Sequence, residues 1–417
     1  MKFEELNLEE SVLDGLDAMN FRETTPIQEL AIPFILAGKD IMGFAQTGTG
    51  KTAAYVLPII NNLCKGAYPP DAINAVVMAP TRELAQQIDQ QIEGFSFYMP
   101  VSAVAVYGGT DGIAYAQQER GLQMGADIVV ATPGRLISHI KMGSVDFSKT
   151  SFFVLDEADR MLDMGFFDDI MQIYKLLPAT CQIIMFSATM PPKIRELAKV
   201  ILKDPEEISI AIARPPDSIT QTAYICHETQ KLPVLIDLFK RSKPQRVLIF
   251  SSKKTKVKEL ALTLKRAGFN VKAMHSDLDQ AERDQVMRDY KNGHIDILVA
   301  TDVVSRGIDI TDINLVVNFD MPNDSEDYVH RIGRTARGIN GEGLAITFVA
   351  TKEQPKFKEI EDFLEKDIYK IPIDASFGKA PLYEPDKHKF KPPTEQRQFR
   401  KGGKRPFNNR KKPFKKP

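Results

Sequence analysis

A glycine-rich loop set between an apolar run and a helical stretch constrains this chain more than any other feature. Ile41-Met42-Gly43-Phe44-Ala45 reads as a buried strand, and Thr52 to Asn62 reads as a helix. Gln46-Thr47-Gly48-Thr49-Gly50-Lys51 joins them. A strand that feeds a tight glycine turn into a helix N-terminus is the phosphate-holding unit of an α/β fold. Gly48 and Gly50 let backbone N–H groups converge on phosphate. Lys51 is placed to reach the β- and γ-phosphates of a nucleotide, and the Thr52 hydroxyl to ligate Mg2+. Loops of this kind usually open on Gly; Ala45 holds that place, and its small side chain still permits the turn.

The same rhythm continues along the chain. Ala75 to Ala79, Asp127 to Ala131, Phe152 to Leu155 and Gln182 to Phe186 are further short apolar runs separated by mixed helical stretches. It restarts with Arg246 to Phe250, Asp296 to Ala300, Leu315 to Phe319 and Ala345 to Val349. Continuous apolar runs with long connections are the pattern of buried parallel strands and crossover helices. Between the two series lies Ala211-Ile212-Ala213-Arg214-Pro215-Pro216-Asp217-Ser218, whose prolines and lack of periodicity suit a linker. The expected division is an ATP-binding domain over 1–208, a linker over 209–218, a second α/β domain over 219–368 and an extension over 369–417. Pattern alone is also compatible with one large sheet.

Phe152-Phe153-Val154-Leu155-Asp156-Glu157-Ala158-Asp159 supplies the second half of a nucleotide site. A hydrophobic strand delivers two acids at its C-terminal end, where α/β sheets bind ligands. Asp156 suits Mg2+ coordination and Glu157 suits polarising an attacking water, the two roles a hydrolytic enzyme of this kind needs. In the second series Arg331, Arg334 and Arg337 recur every three positions and so share one side of a helix or tight turn. Guanidinium forks match phosphate oxygens, and this half has no phosphate loop of its own. These arginines are therefore expected to reach across the cleft and complete the site of the first domain.

At this point the chain resembles the DEAD-box ATP-dependent RNA helicases of superfamily 2, over about residues 1–368 and with the family's elements in order. Asp156-Glu157-Ala158-Asp159 spells the family name. Thr25-Pro26-Ile27-Gln28 resembles the Q motif, with Phe21 upstream; the resemblance implies that Gln28 reads the adenine edge and Phe21 stacks on the base. Pro80-Thr81-Arg82-Glu83-Leu84-Ala85, Gly108-Gly109 and Thr132-Pro133-Gly134-Arg135 resemble elements that line the family's RNA groove. Gln280, Arg283 and Thr301 resemble RNA-side positions of the second domain. Ser187-Ala188-Thr189 resembles the motif that links the ATP site to closure, and Asp159 and His330 resemble members of the same coupling network. Ser305-Arg306-Gly307-Ile308-Asp309 resembles a motif in which Gly307 and Asp309 meet the nucleotide, Asp309 at the ribose. His330 to Arg337 resembles the motif in which Arg334 and Arg337 contact the γ-phosphate.

The resemblance implies two tandem RecA-like domains with parallel sheets. It also implies ATP and Mg2+ as cofactors and RNA-stimulated ATP hydrolysis coupled to closure on single-stranded RNA and local unwinding of short duplexes. The partners it implies are single-stranded and short duplex RNA, around a monomeric core, with ribosomal or RNA-decay assemblies as a wider setting. Departures are few. Asn20 stands where Gly is common, Thr24 where Pro is common, and Ser276 where Gly is frequent. An ATP-gated RNA clamp and a DNA translocase are the competing functions.

Without the family name, Thr81, Arg82, Thr132, Arg135 and the Gly108-Gly109 amides still suit backbone phosphates and carry no base code. Arg82 with Glu83 reads equally as an internal ion pair, and Arg135 as the cap of a local loop. The charge balance, 55 Lys+Arg against 55 Asp+Glu, hides an asymmetry. Residues 381–417 carry thirteen basic and three acidic residues, an excess of +10, with little aliphatic surface. They are expected to form a disordered basic tail that holds a polyanion such as RNA, or only aids solubility. Three cysteines are too few for a disulfide scaffold or a four-thiolate metal site. The acidic start lacks the apolar core of a secretory signal, and no run of about 18 apolar residues appears, so a cytoplasmic protein without a membrane span is expected.

Overall fold

The computed structural model describes residues 1–45, 49–109, 112–210, 218–301, 313–322, 324–335 and 343–388. Fourteen strands are present among them, in two sheets of seven. The first sheet comprises β1 (Ile41–Phe44), β2 (Ala75–Met78), β3 (Ala103–Val106), β4 (Ile128–Ala131), β5 (Phe152–Leu155), β6 (Gln182–Ser187) and β7 (Glu206–Ser209), in the order β3-β4-β2-β5-β6-β1-β7. The second comprises β8 (Ile219–Cys226), β9 (Val247–Phe250), β10 (Val271–Met274), β11 (Ile297–Ala300), β12 (Leu315–Asn318), β13 (Gly343–Ala350) and β14 (Tyr369–Lys370), in the order β10-β11-β9-β12-β13-β8-β14. All strand pairs in both sheets are parallel.

Counted from the first strand of each sheet, the two orders are identical. The restart of the apolar rhythm therefore marks a second copy of one topology, and the single-sheet alternative is excluded. Both faces of each sheet are covered, which explains why the strands lack alternation. In β2, Ala75 and Val77 enter one core with Ile41 and Val154, while Val76 and Met78 enter the opposite core with Phe153 and Leu155. The second sheet divides the same way, Val247 and Ile249 to one side and Leu248 and Phe250 to the other.

Two limits differ from expectation. The second sheet takes up Tyr369–Lys370 as β14 against β8, beyond residue 368. The tail expected from 381 does not start there, because residues 381–388 pack on the helix Gln354–Leu364. Gln354 Nε2 donates to the Leu382 carbonyl at 2.8 Å, and its Oε1 accepts from Glu384 N at 2.7 Å. The Tyr383 hydroxyl donates to Glu361 at 2.6 Å, with its ring edge-on to Phe357. The charge of the whole segment masked these few anchoring groups, whose partners lie about 20 to 30 residues upstream. The remainder of the basic segment, 389–417, lies outside the described residues.

Candidate active site and RNA face

Gly50 has φ +90° and caps the helix Lys51–Cys64. A Cβ there would stand 2.5 Å from Gln28 Nε2 and 3.0 Å from Thr25 Oγ1, so the turn admits only glycine. Gln28 is 1% exposed and holds this corner together. Its Oε1 accepts from Thr25 N at 2.9 Å and its Nε2 donates to the Gly50 carbonyl at 3.1 Å. Beside it opens a cavity of about 770 Å³ lined by Asn20, Phe21, Arg22, Thr25, Gln28 and Gly50. Phe21 is seated edge-on against Phe95 at 5.3 Å. Asn20 adopts φ +59°, a conformation Asn tolerates better than most residues, which accounts for its standing where Gly is common.

Lys51 is buried, and its Nζ donates to the Ala45 carbonyl at 2.9 Å, across the mouth of the phosphate loop. Thr47 and Gly48 lie outside the described residues; Thr49 and Thr52 lie within them. Asp156 extends from the end of β5. Its Oδ2 accepts from the Tyr55 hydroxyl at 2.9 Å, while its buried Oδ1 has no hydrogen-bond partner among the described residues. Burial and the Asp156 carboxylate push the Tyr55 phenol well above its usual range. Glu157 turns away from the strand at φ +51°. Enclosure by protein pushes its carboxyl up, against the pull of the Lys51 ammonium.

The coupling residues of the first domain meet. Asp159 Oδ2 accepts from both the backbone N and the hydroxyl of Thr189 at 3.0 Å, and the Ser187 hydroxyl donates to the Thr189 carbonyl at 2.7 Å. The acidic motif and the end of β6 are thus tied directly.

In the second domain, Arg334 is buried at the turn after the helix Ser325–Ile332, which carries His330. Gly307, Asp309 and Arg337 lie outside the described residues. Arg331 departs from the expectation of a shared cleft-facing side. Its Nη1 donates to Asn318 Oδ1 at 3.2 Å and the Asp320 carbonyl at 2.8 Å, over the Phe250 ring. The buried carbonyl and amide at the end of β12 need a donor, and Arg331 supplies it.

The RNA-side residues of the two domains touch. Arg82 donates to the Gly109 carbonyl at 3.3 Å and pairs with Asp284 of the second domain at 3.5 Å, while Glu83 accepts from Gln280 Nε2 at 3.4 Å. The internal Arg82–Glu83 pair is thus replaced by partners on the other domain. Thr81 caps the helix Arg82–Phe95 by accepting from Leu84 N. Thr132, at the N-cap, with Pro133 and Gly134 opens the helix Pro133–Lys141. Arg135 lies over the Tyr115 ring, itself stacked on His139, and Arg82 lies over Tyr107. Pro80 is buried beneath this face, and Gly108 lies beside Arg135. Arg283 donates to the Ser276 carbonyl, and Thr301 follows β11.

Residues 25–197 match the family described as DEAD/DEAH box helicase, and 230–338 match the helicase conserved C-terminal domain. The chain is 42% identical over 366 residues to the ATP-dependent RNA helicase CshA of Listeria monocytogenes, covering 88% of this chain and 69% of that one. This chain belongs to the DEAD-box ATP-dependent RNA helicases. A second such relative, the DEAD-box ATP-dependent RNA helicase CshA of Geobacillus kaustophilus, is 42% identical over 86% of this chain and 76% of its own. The fold of this helicase aligns with S. cerevisiae Dbp5 bound to RNA and ADP BeF3 at a TM-score of 0.78, with 30% identity, over 90% of this chain and 96% of that one. The protein is therefore an ATP-dependent RNA helicase that uses nucleotide and binds RNA.

Sequence reading of this helicase overlooked four residues. Tyr55 lies one helical turn beyond Lys51 and so on the same face, which was a usable signal. Tyr107 precedes the Gly108-Gly109 pair, and Tyr115 and Asp284 carry no local signature at all.

Proposed function

We propose that ATP is hydrolysed at the C-terminal edge of the first sheet and that RNA controls this step by drawing the second domain onto it. The observation that carries this reading is the contact of Arg82 and Glu83 with Asp284 and Gln280, which joins the RNA-side elements of both domains. In it, residues 1–208 and 219–368 are the two working units, joined by 209–218.

ATP enters beside Phe21 and Gln28, and its phosphates meet the amides of the loop from Thr47 to Thr52. Lys51 exchanges the Ala45 carbonyl for the β- and γ-phosphates. A magnesium ion fits here, because the buried Asp156 Oδ1 has no hydrogen-bond partner among the described residues and Thr52 stands in the first turn of the helix whose Tyr55 meets that carboxylate. When bound, the ion neutralises phosphate charge during transfer. Glu157 orients the attacking water and takes its proton. Arg334 and Arg337 meet the γ-phosphate, and Gly307 with Asp309 meets the ribose side. Asp159, Ser187 and Thr189 transmit closure, with His330 opposite them. Pro80, Thr81, Arg82, Gly108, Gly109, Thr132, Pro133, Gly134 and Arg135 hold one stretch of RNA backbone; Gln280, Arg283 and Thr301 hold the next. Hydrolysis and phosphate release then reopen the cleft.

No helix among the described residues is long and apolar enough to cross a membrane. The working form in this reading is a cytoplasmic, monomeric core acting in ribosomal or RNA-decay assemblies. The test is ATP turnover with no nucleic acid, with single-stranded RNA and with single-stranded DNA, paired with strand release from a short RNA duplex. Stimulation by RNA alone, with ATP-dependent release, is expected. Equal turnover in all three conditions would overturn the coupling.

A further inference from the structure

Tyr55 belongs to none of the sequence signatures discussed above, yet it lies beneath the nucleotide site. Its side chain is fully buried, with its ring 5.9 Å from that of Phe186. Its hydroxyl donates to Asp156 Oδ2 at 2.9 Å. Tyr55 and Asp156 are 101 positions apart in the chain.

We propose that Tyr55 is a positioning residue for the magnesium site, an inference that rests on the assignment of Thr52 and Asp156 as its ligands. A tyrosine hydroxyl has one proton to donate and lone pairs to accept with. Its proton goes to Asp156 Oδ2, which fixes the rotation of the carboxylate and leaves Oδ1 for the ion. The hydrogen bond from Tyr55 to Asp156 therefore orients this ligand before the ion arrives. The buried Oδ1, which has no hydrogen-bond partner among the described residues, fits this arrangement. A buried acceptor without a partner is uncommon unless something further completes it. Outer partners of this kind commonly set metal affinity by fixing the ligands they touch.

The test uses the full chain and a fluorescent ADP analogue titrated at rising Mg2+. Tyr55→Phe keeps the ring and removes only the hydroxyl. The variant is expected to bind the analogue as the parent does without Mg2+, while its Mg2+ midpoint rises about tenfold. In an Asp156→Asn background the same change should add no further shift, because the tyrosine acts through that carboxylate. An unchanged midpoint in a parent that responds to Mg2+ would overturn the role of Tyr55 and leave the magnesium assignment standing. A parent whose nucleotide affinity ignores Mg2+ would overturn that assignment and this inference with it. Equal weakening with and without Mg2+, together with a lowered melting temperature, would mean that Tyr55 only packs the core.

Discussion

Lys51 and Glu157 border the same phosphate site but perform different tasks, so their loss should be distinguishable. Lys51→Ala removes a cation that holds phosphate in both ground and transition states. Nucleotide affinity and turnover should fall together, affinity by at least about tenfold. Glu157→Gln keeps the shape and removes the group that takes the proton from water. Affinity should stay within about threefold while turnover falls by roughly 10²–10⁴, and a closed RNA complex should accumulate. Titration of a fluorescent nucleotide against each variant checks this; equal loss of affinity in both would contradict the assignments. Gln28 is the second case. Its amide already joins Thr25 to Gly50, so it sits at the cavity wall in a fixed orientation. Gln28→Ala should weaken ATP binding and narrow the preference for ATP over GTP, since stacking on Phe21 tolerates any base. Competition by GTP as strong as by ATP in the parent protein would remove adenine reading from Gln28.

The helix Arg82–Phe95 carries Asp89, whose carboxyl burial, followed by the neighbouring Glu93, pushes up from its usual 3.8 to about 6. A carboxyl whose folded value is raised favours folding while it is protonated. That contribution is full below about pH 4 and is lost as pH rises through 6, so the charged form is a burden at neutral pH. Asp89→Asn should raise the melting temperature at pH 7.5, by about 1–2 kcal/mol equivalent after discounting for solvent screening, with no gain at pH 4. Melting curves at the two values decide it. The helix Gln354–Leu364 has a different dependency, because the segment through 388 binds it by way of Gln354, Phe357 and Glu361. A chain ending after His388 should melt as the full chain does. One ending after Asp374 should melt several degrees lower, because it strands the buried Gln354 amide and takes the Tyr383 donor from Glu361 Oε2.

Across the molecule, charge is distributed by region. Residues 389–417 contain twelve basic residues and one acid. Removing them leaves both sheets, the phosphate loop and the packed segment to 388 intact. The shortened chain should bind single-stranded RNA more weakly at low salt, with a flatter plot of log K against log salt, since each phosphate contact adds about 0.7 to that slope. Turnover at saturating RNA should stay near that of the full chain. An unchanged slope would leave the segment with a solubilising role only. Because 381–388 pack on the second domain, a cut at 381 would confuse lost charge with lost stability.

What the sequence determined by itself is what short stretches encode. The turn at Gly50, the acids after Phe152–Leu155 and the apolar runs of both sheets each depend on a few adjacent residues, because loop conformation and strand burial are local constraints. The likeness of the two halves was also legible, since each strand carries its own burial pattern. The strand order was not, because it depends on which strands bury one another across long separations. That order sets β3, β4 and β2, which lead to Gly108-Gly109, Thr132 and Thr81, to one side of the first sheet. It sets β5, β6 and β1, which lead to Asp156, Ser187 and the phosphate loop, to the other. The RNA face and the ATP site are thus neighbours on one edge, separated only by the β2–β5 boundary. The bond from Tyr55 to Asp156 spans 101 positions and that from Gln280 to Glu83 spans 197. Arg331 turned inward for a related reason: the polar groups at the end of β12 needed a donor, a demand that exists only once that strand is buried in its sheet.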